Sequence, residues 1–306
     1  LLKIITMMTK RDFVPSNSFG QYVSPYRRLD DQIAIFHFLC KFFPADLVQE
    51  VLVWLGVMAT YRFCCNGKFG ALFKFVDYSD TIRRVQEVCL DPETGRILQS
   101  GDARAQIANT LRPNATYSCM PEGYKACMIE KELMNSKSEV VYDCKPCFFG
   151  QAQCFEHARY DRPYGIVKHV VSAIFLNICG YKDKNSPVWL ATGGSELTGC
   201  DLSKADILKF FQFKEMILFP GAELYDQSKE IEQQIRLMGM KARTSYFMEK
   251  VEYKDKQRGD DISNYIISEI NRGVHYKEAY ESALDRGALA LDWGSAMVDN
   301  NRMMKE

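Results

Sequence analysis

Apolar positions along the chain change rhythm twice. From Asp31 onward, Ile33, Phe36, Leu39, Cys40 and Phe43 recur at the i, i+3, i+4, i+7 spacing of an amphipathic helix. Asp46 stands where it would cap a second helix, with Val48, Val51, Leu52 and Leu55 on one face. Ser16-Asn17-Ser18-Phe19-Gly20 and Ser24-Pro25 mark a loop ahead of both. Beyond Met58 the pattern becomes that of short strands, over residues 61–63, 71–76 and 85–90. Asn66-Gly67-Lys68-Phe69-Gly70 and Asp91-Pro92-Glu93-Thr94-Gly95 have turn chemistry, so the three strands read as a meander. Residues 101–138 are polar and weakly periodic and predict no element.

The second half alternates strand and helix. Tyr164-Gly165-Ile166-Val167, Val188-Trp189-Leu190-Ala191-Thr192 and residues 214–219 and 241–247 read as strands. Helical patterns over 170–178, 202–211 and 226–238 separate them. Strands spaced by helices of about 10–15 residues indicate βαβ units and a parallel sheet. A helix over 276–284 and a weakly structured end close the chain. The fold class is therefore α/β: a Rossmann-type parallel sheet in the C-terminal half, preceded by a helical region and a small β meander. The pattern divides the chain at 1–57, 58–138, 139–272 and 273–306.

Composition narrows the class. The 306 residues carry 39 Lys+Arg against 39 Asp+Glu, with 47% hydrophobic and 25% charged residues. Such values exclude whole-chain disorder, collagen and coiled coil. Zero net charge argues against a strongly basic nucleic-acid binder and leaves room for a local basic face. No apolar run reaches the ~18 residues that span a bilayer; residues 32–43 and 47–59 come nearest and are broken by His37, Lys41, Pro44 and Glu50. Around Lys3, Lys10 and Arg11 no secretion-signal pattern is visible. The 11 cysteines, odd in number and including adjacent Cys64-Cys65, read as reduced thiols. A cytoplasmic protein without a membrane partner is the expectation.

In a parallel sheet, ligands bind beyond the carboxyl ends of the strands. The informative residues are Lys168-His169, Gly193-Gly194-Ser195-Glu196, Gly221-Ala222-Glu223 and Gly259-Asp260-Asp261-Ile262. With Cys147-Phe148-Phe149-Gly150, Ile166-Val167-Lys168, Trp189-Leu190-Ala191-Thr192-Gly193-Gly194, Ile217-Leu218-Phe219-Pro220 and Gly259-Asp260-Asp261-Ile262-Ser263-Asn264-Tyr265-Ile266, the sequence resembles the Toprim-like, primase-related proteins of bacterial mobile elements. Asp91-Pro92-Glu93-Thr94-Gly95 and Phe13-Val14-Pro15-Ser16 are similar to that family as well. The resemblance covers residues 13–268. It implies a Toprim-like sheet in which Ile166-Val167 and Ile217-Leu218 are adjacent parallel strands.

The resemblance also implies a damaged site. The wider superfamily places a Glu after the first strand and an Asp-x-Asp after a later one, and these hold Mg²⁺ through carboxylate oxygens. Here Lys168 occupies the Glu position and Gly221-Ala222-Glu223 the Asp-x-Asp position. The expectation is a protein without catalysis that binds DNA, or a replication or mobilisation protein, with no cofactor. An active Mg²⁺-dependent primase or nuclease would have to use Glu223, Asp226, Asp260 and Asp261. A structural or regulatory interaction module is the third alternative.

Each candidate has a plainer reading beside the functional one. Lys168 is either a solvated residue or a point charge for a phosphate. His169 reads as a surface or capping residue. Gly193 and Gly194 either present N–H groups to an anion or make a tight turn. Asp260-Asp261 reads first as a helix cap and only second as a metal ligand. Cys144-x-x-Cys147-x6-Cys154-x-x-His157 has the ligand count for structural zinc without a common spacing, and buried thiols are the alternative. Arg27 and Arg28 beside Tyr22 and Tyr26, then Tyr61, Arg62, Lys68 and Phe69, interleave base-stacking and phosphate-binding side chains.

Overall fold

The computed structural model describes residues 9–11, 29–63, 67–77, 79–97, 140–142, 147–155, 162–193, 214–247 and 260–286. Helix α1 spans Ala34–Leu39 and α2 spans Ala45–Trp54. Asp46 does not cap α2: Pro44 holds that position without a side-chain bond, and Asp46 falls in the first turn. Proline's fixed φ starts the helix early, and the Asp46 charge then faces the positive end of the helix dipole. Helix α1 is also shorter than its apolar pattern, because residues 40–43 close it with tighter turns such as Phe42 N–H to the Leu39 carbonyl.

The meander is present. Strands β2 (Met58–Phe63), β3 (Phe69–Val76) and β4 (Ile82–Val88) pair antiparallel in the order β2-β3-β4. A short strand β1 (Thr9–Arg11) pairs in parallel with β5 (Val140–Tyr142), which the sequence did not suggest.

Four strands make the parallel sheet: β6 (Tyr164–Val167), β7 (Val188–Ala191), β8 (Glu215–Leu218) and β9 (Lys241–Thr244), in the order β7-β6-β8-β9. Gly165 pairs with Ile217 and Ile166 with Leu218, so the two segments are parallel neighbours as expected. Alternation along each strand sorts the side chains to two faces. Val167, Trp189, Ala191 and Ile217 join one core cluster, with helix α3 (Val170–Cys179). Tyr164, Ile166, Val188, Leu190, Met216 and Leu218 join the other, with Ile231 and Ile235 of helix α4 (Tyr225–Leu237). Helices thus cover both faces, and the fold is α/β. The helical pattern at 202–211 and the polar stretch at 101–138 lie outside the described residues.

The first face is the larger core. Phe42 and Phe43 of the α1–α2 connection pack edge-on against Phe175 of α3, with ring centroids 5.8 and 4.9 Å apart. Phe73 and Phe75 of β3 do the same against Phe149, both at 5.8 Å. Helices α5 (Ile262–Asn271) and α6 (Tyr276–Arg286) lie on that same face. Tyr280 of α6 is only 2% exposed; its hydroxyl accepts the Trp189 indole N–H at 2.7 Å and lies 2.5 Å from Ser186 Oγ. The Trp189 ring fills the space above Gly165, where a Cβ would come within 2.5 Å of it. Asn177 closes the β7 edge, bonding both the N–H and the carbonyl of Trp189.

Candidate functional site

Numbered by their order in the chain, the strands of the sheet run second, first, third, fourth. The winding direction reverses between β6 and β8, and such a switch point opens a crevice beyond the strand ends. Lys168 follows β6 there, and Gly221-Ala222-Glu223 follows β8. The backbone knits the ends together. Thr192 N–H donates to the Val167 carbonyl at 3.0 Å and Phe219 N–H to the Ile166 carbonyl at 2.8 Å. Ala222 N–H donates to the Asp260 carbonyl at 3.0 Å, which brings the start of α5 to the same edge.

Lys168 is not a freely solvated residue. Its side chain is 16% exposed, and its Nζ lies 3.3 Å from Glu223 Oε1, whose side chain is 34% exposed. Residues 222–224 form one turn of 3-10 helix, which folds the Glu223 carboxylate back over Gly221. A Cβ at Gly221 would lie 2.6 Å from one carboxylate oxygen and 2.9 Å from the other. Only glycine at 221 leaves that space open.

His169 takes the N-cap position of α3 with no side-chain cap bond. Burial lowers the affinity of its imidazole for a proton; Asp261 pulls the other way, Lys168 adds to the lowering, and Glu223 opposes it. All four side chains therefore share one electrostatic neighbourhood.

Asp261 is a helix cap. It accepts N–H bonds from Ser263 and Asn264, while the Asn264 side chain returns a bond to the Asp261 N–H at 3.0 Å. The second carboxylate oxygen accepts from Ser172 Oγ of α3 at 2.6 Å. Ser263 Oγ donates to Asp261 Oδ1 at 2.5 Å and also contacts Ser172 Oγ at 3.2 Å. These bonds engage both carboxylate oxygens within the protein. Asp226 is exposed in the first turn of α4. Among the described residues, no three His, Cys, Asp or Glu side chains group in a way that could hold a metal ion.

The other candidate residues are placed separately. Gly193 has φ +68°, a left-handed turn, and its N–H donates to the Lys168 carbonyl at 2.9 Å. That N–H is engaged within the protein, so Gly193 makes the turn and does not present it to an anion. Lys68 is held by the Asp31 carbonyl at 2.6 Å and carboxylate at 2.8 Å. Cys147 and Cys154 are both buried but pack in different core clusters, Cys154 Sγ facing the Gly150 carbonyl at 3.8 Å. Arg62 lies on β2. Arg27, Arg28, Cys144, His157 and Gly194 fall outside the described residues.

Ser172 was missed as a site residue, since a serine inside a buried apolar helix gives no pattern. The Asp261-to-Asn264 spacing did carry a signal, that of a reciprocal cap. Among the described residues, no helix is long and apolar enough to cross a membrane. Compared with known proteins, the chain matches no family model, and no curated protein matches it.

Proposed function

We propose that this chain is a degenerate Toprim-like, primase-related protein of a mobile element, one that has lost metal-dependent catalysis and binds DNA or a partner of DNA replication or mobilisation. The observation that carries this reading is the Lys168–Glu223 ion pair at the switch point. Of the three acidic positions the resemblance implies, two hold a lysine and a glycine, and the one remaining carboxylate answers the lysine. An ammonium removes the oxygen ligands Mg²⁺ requires and repels the ion. It suits a phosphate instead, as a point charge at the mouth of a crevice.

Supporting this, the residues around the pair are positioned by backbone bonds from several segments and not by a loop alone. The test is binding of a fluorescent oligo-dT across a salt series. Phosphate contacts give affinity that falls steeply with salt, with a log–log slope of about −0.7 per contact on a single strand. Lys168→Met is expected to weaken binding and make that slope shallower. No binding to single- or double-stranded DNA at low salt, by a chain that also captures no replication or mobilisation protein, overturns the reading.

A further inference from the structure

The way Glu223 holds Lys168 points to regulation of the crevice. We propose that Glu223 is a built-in anion that occupies Lys168 and yields it to a phosphate of an incoming strand. The inference rests on the functional reading above for the identity of the ligand as nucleic acid. The exchange itself is a matter of charge alone.

Three observations carry it. First, the pair is loose: 3.3 Å exceeds the roughly 2.7–2.9 Å of a strong ammonium–carboxylate bond. Second, the partners are unequally buried. The Lys168 side chain is 16% exposed and the Glu223 side chain 34% exposed, so Glu223 is the partner that returns to water at the lower cost. Third, the carboxylate sits where it does because Gly221 lacks a side chain; a Cβ there would contact both carboxylate oxygens at under 3 Å. The Glu223 side chain is flexible, and the backbone at Gly221, with φ −61° and ψ 155°, is open to any residue. Alanine at 221 would therefore move the carboxylate and leave the fold.

A pair that is only structural behaves differently from a displaceable one, and four variants separate them. Glu223→Gln removes the competing charge. Gly221→Ala displaces it without changing net charge. Glu230→Gln, on the exposed side of α4, controls for a general loss of negative charge. Lys168→Met/Glu223→Gln removes the group the anion would bind. Two probes are used on the full chain: inorganic phosphate followed by thermal shift, and a fluorescent oligo-dT followed by anisotropy.

The expected result is a gain of about three- to five-fold in apparent affinity for phosphate in both Glu223→Gln and Gly221→Ala. Glu230→Gln shows none, and the double variant loses the gain. Equal behaviour of Glu223→Gln and Glu230→Gln overturns the proposal. So does a gain in Glu223→Gln that Gly221→Ala does not share, or one that survives loss of Lys168. The oligo-dT arm is read separately. If phosphate shows the Lys168-dependent gain and oligo-dT binds no variant, the displaceable anion stands and DNA as its ligand falls.

Discussion

Ser172 Oγ donates to Asp261 Oδ2 at 2.6 Å across 89 residues of chain, tying the first turn of α3 to the N-cap of α5. Both groups are buried, so the bond is made away from water. Asp261→Ala removes the cap and leaves the buried Ser172 and Ser263 hydroxyls only each other, 3.2 Å apart. A lost cap costs about 1 kcal/mol and an under-satisfied buried hydroxyl about 1–3. Urea denaturation is expected to show a loss of about 2–4 kcal/mol, with Asp261→Asn losing less because its amide oxygen still accepts. Full stability in Asp261→Ala would mean the network contributes nothing.

In the core the Tyr280 hydroxyl accepts from the Trp189 indole and shares a hydrogen bond with Ser186 Oγ. Tyr280→Phe keeps the ring and leaves the indole N–H without an acceptor. The expected cost is about 1–3 kcal/mol in chemical unfolding, with a shift in tryptophan emission. A neutral effect would show that another acceptor reaches the indole.

Burial holds the His169 imidazole below its ordinary proton affinity. The unfolded chain takes up that proton near the usual pKa of about 6.5, while the folded chain resists it. Stability from this group is therefore intact above about 6.5 and is lost as pH falls toward the lower folded value. Thermal melts of the wild type and His169→Gln from pH 8 to pH 5 check this. The wild type is expected to lose more Tm on acidification than the variant. Parallel curves would mean His169 is not shielded.

Divalent cations test the proposed loss of metal-dependent catalysis. Addition of millimolar Mg²⁺ is expected to leave Tm unchanged relative to Ca²⁺ or matched ionic strength, since a ligand bound only by the native state would raise it. A rise specific to Mg²⁺, abolished by Glu223→Gln, would restore the catalytic alternative.

The parallel sheet was legible because its strands are short and β6, β7 and most of β8 are apolar. Ile166, Leu190 and Leu218 announce buried strands whichever face they take. The pairing of β6 with β8 followed from motif order and not from periodicity. Less legible was the electrostatic outcome. Lys168 and Glu223 are 55 residues apart, and a sequence pattern shows charges without showing which of them meet. The same limit hid Lys68 on Asp31, 37 residues away. The cap at Asp46 failed for a local reason, as Pro44 two residues earlier sets the helix start by its own ring. Ser172 lay hidden because its partner arrives from a distant helix.

The burial of Tyr280 has a practical bearing on how the chain can be cut. A fragment ending at the close of α5 would omit α6 and uncover the indole of Trp189 together with the apolar wall around it. Such a piece would be sticky in solution, and any loss of ligand affinity it showed would report a wounded interior and not a missing contact. Truncations meant to isolate the crevice should keep every residue through Arg286.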